Sequence, residues 1–167
     1  MPIKDPKEVF TMILSDVRQN TERATKAYDE ISQAAQDPDI KQILEARALI
    51  SEQILARLDE CFRLIGEKPA KLSGRLQDVF IEDFRRELNE IQSPAAKKLF
   101  VLAKLAHLIH FRVSEYVALT AVADLTGNHA VGVLLESCLA DKLTLLERTR
   151  RVIRRIAEAR LEERLAA

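Results

Sequence analysis

The chain has 167 residues, 47% of them hydrophobic and 31% charged, with four glycines, five prolines and no tryptophan. One domain of this length buries roughly two thirds of the surface its unfolded chain exposes, so it needs no disulfide or metal staple. Lys plus Arg balance Asp plus Glu at 26 each, which leaves no global field to draw the chain to nucleic acid, an anionic membrane or a strongly charged substrate.

The apolar period stays near 3.6 residues throughout, the spacing of amphipathic helices. The first segment, residues 7–35, carries Val9, Phe10, Ile13, Leu14 and Val17, then Ala24, Ala27, Tyr28 and Ile31. Asp5 before Pro6 reads as an N-cap followed by a proline at the first helical position. "QDPD" at 36–39 reads as a short turn. The second segment, 39–65, carries Ile40, Ile43, Leu44, Leu49, Ile54, Leu58, Cys61, Phe62 and Ile65. Gly66 fits the position just past its end, and Pro69 prevents continuation. A shorter third segment, 75–91, presents Leu76, Val79, Phe80, Phe84, Leu88 and Ile91. Ser93 and Pro94 restart the chain as N-cap and first helical residue. The fourth segment runs from 95 to 125 and stops at Gly127, where positive φ costs little. Asn128 is placed to cap the fifth segment, about 129–163.

No stretch alternates with period 2 between turn signals, so no strand is expected. Long helices joined by short turns lie antiparallel to their sequence neighbours. The expected fold is all-α, an antiparallel four-helix bundle forming a single domain over 1–167. The short third helix would pack across an end or sit inside the connection between the second and fourth segments. Cys61 and Cys138 read as buried thiols, and the N-terminus lacks the apolar core of a secretory leader. Both point to the cytoplasm. No apolar run approaches the length of a membrane span.

Several stretches, in this order and separation, resemble the YciE/YciF family of ferritin-like bacterial proteins. They are "VFTMILSDV", "RLDECFRLIGEKP", "DVFIED", "HFRVSEY" and "DLTGNHAVGVLLESCLADK", together covering about Val9 to Leu146. The resemblance implies a ferritin-like bundle, often dimeric and associated with bacterial stress responses, without a well-defined biochemical activity. Ferritin-like bundles can hold two metal ions between helices, through inward Glu residues and Glu/His pairs three apart. Carboxylates bridge and neutralise the cations, and imidazole completes the coordination.

This chain departs from that ligand pattern. Where the family has an Ala-Glu step it reads Asn20-Thr21, with Glu22 one position late, about 100° round the helix. A His and a Glu three apart in the family align with Arg47 and Ile50. Glu82 matches. A Glu-His-Tyr-Glu string aligns with Ile109-His110-Phe111-Arg112, where only His110 matches. The last acidic positions fall near Asp141 and Lys142. The candidate metal set is therefore Glu22, Glu82, His110 and Asp141, for iron or another divalent ion.

His107 and His110 lie about 60° apart on one helix face. As ligands they would be half of a metal site. As structural residues, the reading favoured here, His110 is a hydrogen-bonded core histidine and His107 is partly exposed. Arg47 and Arg112 suggest a different use of the same positions, an internal ion-pair or hydrogen-bond network whose guanidinium groups replace the charge of a metal. The bland alternative is that both snorkel outward.

The Arg-rich end, "RTRRVIRRIAEARLEER", holds no aromatic for base stacking. Its Arg and Glu residues fall three or four apart, as on a solvated helix face. Nucleic acid is the weaker reading of it, and one that predicts steeply salt-dependent affinity. Its apolar residues could instead serve a dimer or partner helix. No nucleophile elbow or phosphate loop is present. The leading expectation is a non-catalytic bundle protein without a cofactor, a homodimer or partner binder with no membrane role. The competing one is a metal-binding protein, a weak iron oxidase or store, whose four candidate ligands would converge.

Overall fold

The computed structural model describes residues 5–34 and 38–165. These form five helices: α1 (Pro6–Ala34), α2 (Pro38–Ile65), α3 (Arg75–Glu90), α4 (Pro94–Leu125) and α5 (His129–Leu165). Among the described residues there is no strand. The expected turn at 36–39 lies partly outside them, and α2 is described from Pro38.

The helix ends follow local chemistry. The Lys7 N–H donates to Asp5 Oδ1 at 2.8 Å, opening α1 as expected. At the end of α2, Gly66 takes φ +71° while the Glu67 N–H donates back to the Phe62 carbonyl. That is a left-handed C-terminal cap, a conformation glycine adopts without a Cβ penalty. Ser93 caps α4 by accepting the Ala96 N–H, with Pro94 first in the helix. Asn128 behaves differently from expectation. Its side chain donates to Thr126 Oγ1, and its carbonyl receives the Gly132 N–H.

Four long helices make the bundle. α1 packs mainly on α2 and α4 mainly on α5, while α2 also meets α5 and α1 meets α4. One apolar cluster joins Phe10, Leu14 and Val17 of α1 to Ile54, Leu58 and Phe62 of α2. Tyr116 and Leu119 of α4, and Val131 and Leu135 of α5, complete it. A second joins Ala24 and Tyr28 of α1 to Ile40 and Leu44 of α2, Phe84 of α3, and Val101 and Leu105 of α4. α1 therefore runs from the first cluster to the second, while α2 and α4 run from the second to the first. Neighbouring helices are antiparallel, and α2 and α4 share a direction.

That shared direction needs a crossover, and residues 66–74 with α3 supply it. The crossover is pinned along α1. The Ala70 N–H donates to Ser15 Oγ, Gln19 exchanges two bonds with the Leu72 backbone, and Arg23 donates to the Gly74 carbonyl and pairs with Asp78. Ser15, Gln19 and Arg23 are one helical turn apart, so the segment climbs α1 as a strap. Gly74 has φ +60°, a left-handed conformation that residues with a Cβ rarely adopt, and a Cβ there would displace the Arg23 guanidinium, whose Nη1 would stand 2.0 Å away. α3 is thus inserted in the connection, and the Phe84 ring stacks on Phe100 of α4 at 5.7 Å.

Each long helix faces inward along one stripe with steps of three and four. The stripes are Phe10, Leu14, Val17, Thr21, Ala24, Tyr28; Ile40, Leu44, Arg47, Ser51, Ile54, Leu58, Cys61; Leu102, Leu105, Ile109, Arg112, Tyr116, Leu119, Ala123; and Val131, Leu135, Cys138, Lys142, Leu145, Thr149. Every one of these residues is buried. An average step of 3.5 residues is the repeat of left-handed bundle packing.

Candidate functional site

The stripes of α1, α2 and α4 are apolar at their ends and polar in the middle, and that of α5 turns polar at Lys142 and Thr149. Thr21, Arg47, Ser51, Arg112, Lys142 and Thr149 interrupt the four stripes, and Asn20 is buried beside Thr21. The interruption lies between the two apolar clusters, so it forms a polar layer across the bundle. A third small cluster places it. Ile109, Leu145 and Leu146 pack with Ile50, and each lies three residues from a polar stripe residue: Ile50 from Arg47, Ile109 from Arg112, Leu145 from Lys142 and Leu146 from Thr149. Residues three apart share a helix face.

The layer carries three cations. Arg47 is 1% exposed, Arg112 4% and Lys142 6%. A buried charge is costly unless it is paired and hydrogen-bonded. Arg112 Nη1 donates to Glu115 Oε2 at 2.6 Å, one turn along α4. Burial pushes the Glu115 carboxyl up, and the Arg112 guanidinium opposes the rise. Arg47 Nη2 donates to Thr149 Oγ1 across the bundle, and the Thr149 hydroxyl donates to the Leu145 carbonyl. Burial lowers the Arg47 pKa, with Tyr28 acting in the opposite direction. Lys142 is pushed down to about 8, first by burial and then by the positive charges of Arg112 and Arg47. Lys142 therefore feels the charge of both guanidinium groups.

Several polar atoms of the layer have no hydrogen-bond partner: Arg47 Nε and Nη1, Ser51 Oγ, Asn20 Oδ1 and the Tyr116 hydroxyl. Burial raises the Tyr116 phenol, and lifts the thiols of Cys61, to about 12, and Cys138. Neither thiol is a ready nucleophile, since reactivity needs the thiolate.

The sequence-derived ligand candidates are placed differently. Glu22 is partly buried and pairs with Arg18 at 3.4 Å. Glu82 is exposed on α3, and His110 is exposed on α4 beside the inward Ile109. His110 is thus not the core histidine expected, and His107, also exposed, meets the Phe80 ring edge-on at 6.5 Å. Asp141 is partly buried and pairs with Arg57 of α2. The four do not gather: among the described residues no three His, Cys, Asp or Glu side chains form a group able to hold a metal ion. The physical reason is helical phase. Glu22 and His110 each lie one residue, about 100°, past a stripe position.

Arg47 and Arg112 do point inward, and neither snorkels. Lys142 is the residue sequence reasoning passed over. Its signal was available, because it stands four residues after Cys138 and three before Leu145 on the apolar stripe. At the level where the resemblance implies two metal ions, the inward groups are three cations, hydroxyls, the Asn20 amide and aliphatic side chains, with a single partly buried carboxylate, Glu115, held by Arg112. This donor set does not fit a di-metal centre, which requires several converging carboxylates to neutralise its charge.

The fold has counterparts of known structure. The E. coli stress protein YciF superposes with a TM-score of 0.87 at 17% identity, over 93% of this chain and 99% of its own. YcfI of Rhodopseudomonas palustris gives 0.84 at 20% identity, over 89% and 94%. A Xanthomonas campestris protein gives 0.74 at 18% identity, over 96% and 99%. Comparison with curated proteins returns no match. No helix among the described residues is long and apolar enough to cross a membrane. The model of the family described as a domain of unknown function (DUF892) matches residues 5–166. With that match over nearly the whole chain, on a bundle shaped like YciF, the chain belongs to the YciE/YciF-like DUF892 family of ferritin-like helical proteins.

Proposed function

We propose that this is a non-catalytic ferritin-like protein, acting through its outer surface as a stress-associated or partner-binding homodimer in the cytoplasm. The observation that carries the reading is the charge of the polar layer. Arg47, Arg112 and Lys142 occupy the bundle interior where a metal-binding relative would present carboxylates, and like charge repels an entering cation. In their place an internal network of Arg47 with Thr149 and Arg112 with Glu115 fills the layer. The stress association rests on the likeness to the E. coli stress protein. The cytoplasmic reading rests on Cys61 and Cys138, which are free thiols. The dimer is supported by large apolar side chains left on the surface, among them Leu49, Leu76, Val79 and Val133.

The test is elemental analysis of protein purified without chelator and then offered ferrous iron anaerobically. Iron well below one equivalent per chain is the expected result. About two equivalents per chain, the stoichiometry of a di-metal bundle, would overturn the reading and call for oxidase assays. Light scattering on the same sample measures the mass, with twice the chain mass expected.

A further inference from the structure

The polar layer is unbalanced. Among the described residues three cations are buried and no carboxylate is, and the partly buried Glu115 is paired with Arg112. Asp16 acts on Glu115, and Asp141, paired with Arg57, acts on Lys142, while Arg47 is acted on by its burial and by Tyr28. A buried guanidinium without its hydrogen bonds is among the costliest groups a core can hold. Arg47 has two such N–H-bearing atoms, Nε and Nη1. One turn along the same face of α2 the Ser51 hydroxyl is also without a partner. Water could fill hydrogen-bonding positions, but a neutral molecule leaves the excess charge where it is. Loss of the Lys142 proton would remove one charge and still leave Arg47 unsatisfied.

We propose that the centre of the bundle is a binding site for one small monovalent anion of halide size. It is held by the free Nε and Nη1 edge of Arg47, with the Ser51 hydroxyl and the Lys142 ammonium as the supporting donors. The anion does for this layer what converging carboxylates do elsewhere in the fold class: it supplies the missing negative charge, here without a metal. Its size is set by the position, between two close-packed apolar clusters, where a polyatomic anion would need those clusters to part. This proposal rests on the reading of the layer as metal-free.

Bromide is the probe. Crystals of the full chain grown in sodium bromide should show an anomalous peak at the Arg47 Nε and Nη1 edge. At constant ionic strength, with gluconate as the balancing bulky anion, the unfolding midpoint should rise saturably by about 5 °C or more once bromide exceeds its dissociation constant a hundredfold. Arg47→Met, which keeps the side-chain volume and removes the charge, should abolish both the peak and the rise. Should that variant fail to fold, Lys142→Met provides the second arm, with bromide affinity reduced at least tenfold. Bromide found only at surface side chains, or an equal and unsaturated response in wild type and Arg47→Met, overturns the proposal. Iron retention in the same preparation is a separate outcome that overturns the metal-free reading itself. Neither iron nor bromide in the layer overturns the anion site alone.

Discussion

The cluster around Leu58 and the layer around Arg47 lie within a few turns of each other on α2, yet they are built on opposite principles. The first is closed and apolar: Leu14, Ile54, Leu58, Leu119 and Leu135 are fully buried with no formal charge among them. The second, on the same stripes, buries three cations and leaves polar atoms without partners. Burial of apolar area drives folding at roughly 25 cal/mol per Å², whereas burial of charge works against it. The difference teaches that the apolar ends hold the bundle together and the polar layer between them is maintained at a cost.

Substitutions can break or sharpen that contrast. The largest loss is expected on the apolar side. Phe84→Ala removes a ring that is 4% exposed and stacked on Phe100, and should cost about 3 to 5 kcal/mol in urea unfolding. A near-neutral result would mean that α3 is only loosely attached to the bundle. In the layer, Glu115→Ala takes away the carboxylate facing Arg112. Breaking a buried pair from one side costs about 3 kcal/mol or more, so a loss below about 1 kcal/mol would show that Arg112 reaches solvent in solution.

Lys142 gives the layer a pH signature. Its pKa is lowered from 10.5 to about 8 by burial and by Arg112 and Arg47, while Cys138 and Asp141 act the other way. Between pH 8 and 10.5 the unfolded chain therefore binds more protons at this position than the folded one, so its contribution to stability rises with pH. In buffer free of small anions, wild type should gain on Lys142→Met by on the order of 3 kcal/mol across that window. Using the variant as reference matters. The raised thiols of Cys61 and Cys138 favour folding below pH 9, and that contribution fades as pH rises further. Parallel profiles for the two proteins would place the Lys142 ammonium in water. The smallest effect is expected outside both regions: Ser93→Ala removes the cap on α4 and should cost about 1 kcal/mol in thermal unfolding.

Much of the fold was legible in the sequence because its signals are local. Gly66 past α2, Ser93 with Pro94 before α4 and the 3.6-residue apolar period marked the helices within a residue or two of their ends. The candidate site was legible only in part. Arg47 and Arg112 attracted attention as cations in ligand positions, and both are buried. Glu82 and His110 attracted it by residue type, and both face outward. Residue type was the wrong guide, since a step of one residue turns a side chain by 100°. The stripe with steps of three and four was the better one, and it runs through Thr21, Arg47, Arg112 and Lys142.

By itself the sequence determined the helices, their order and the family layout, because propensity, capping and amphipathic period act over a few residues. Only the tertiary structure decided the chemistry of the interior. It set Arg47 against Thr149, 102 residues away, and paired Arg57 with Asp141 across 84. It also brought Lys142 under the charges of Arg47 and Arg112. Those pairings depend on how four stripes meet at one level of the bundle. The desolvation and mutual repulsion that define the layer exist only once they have met.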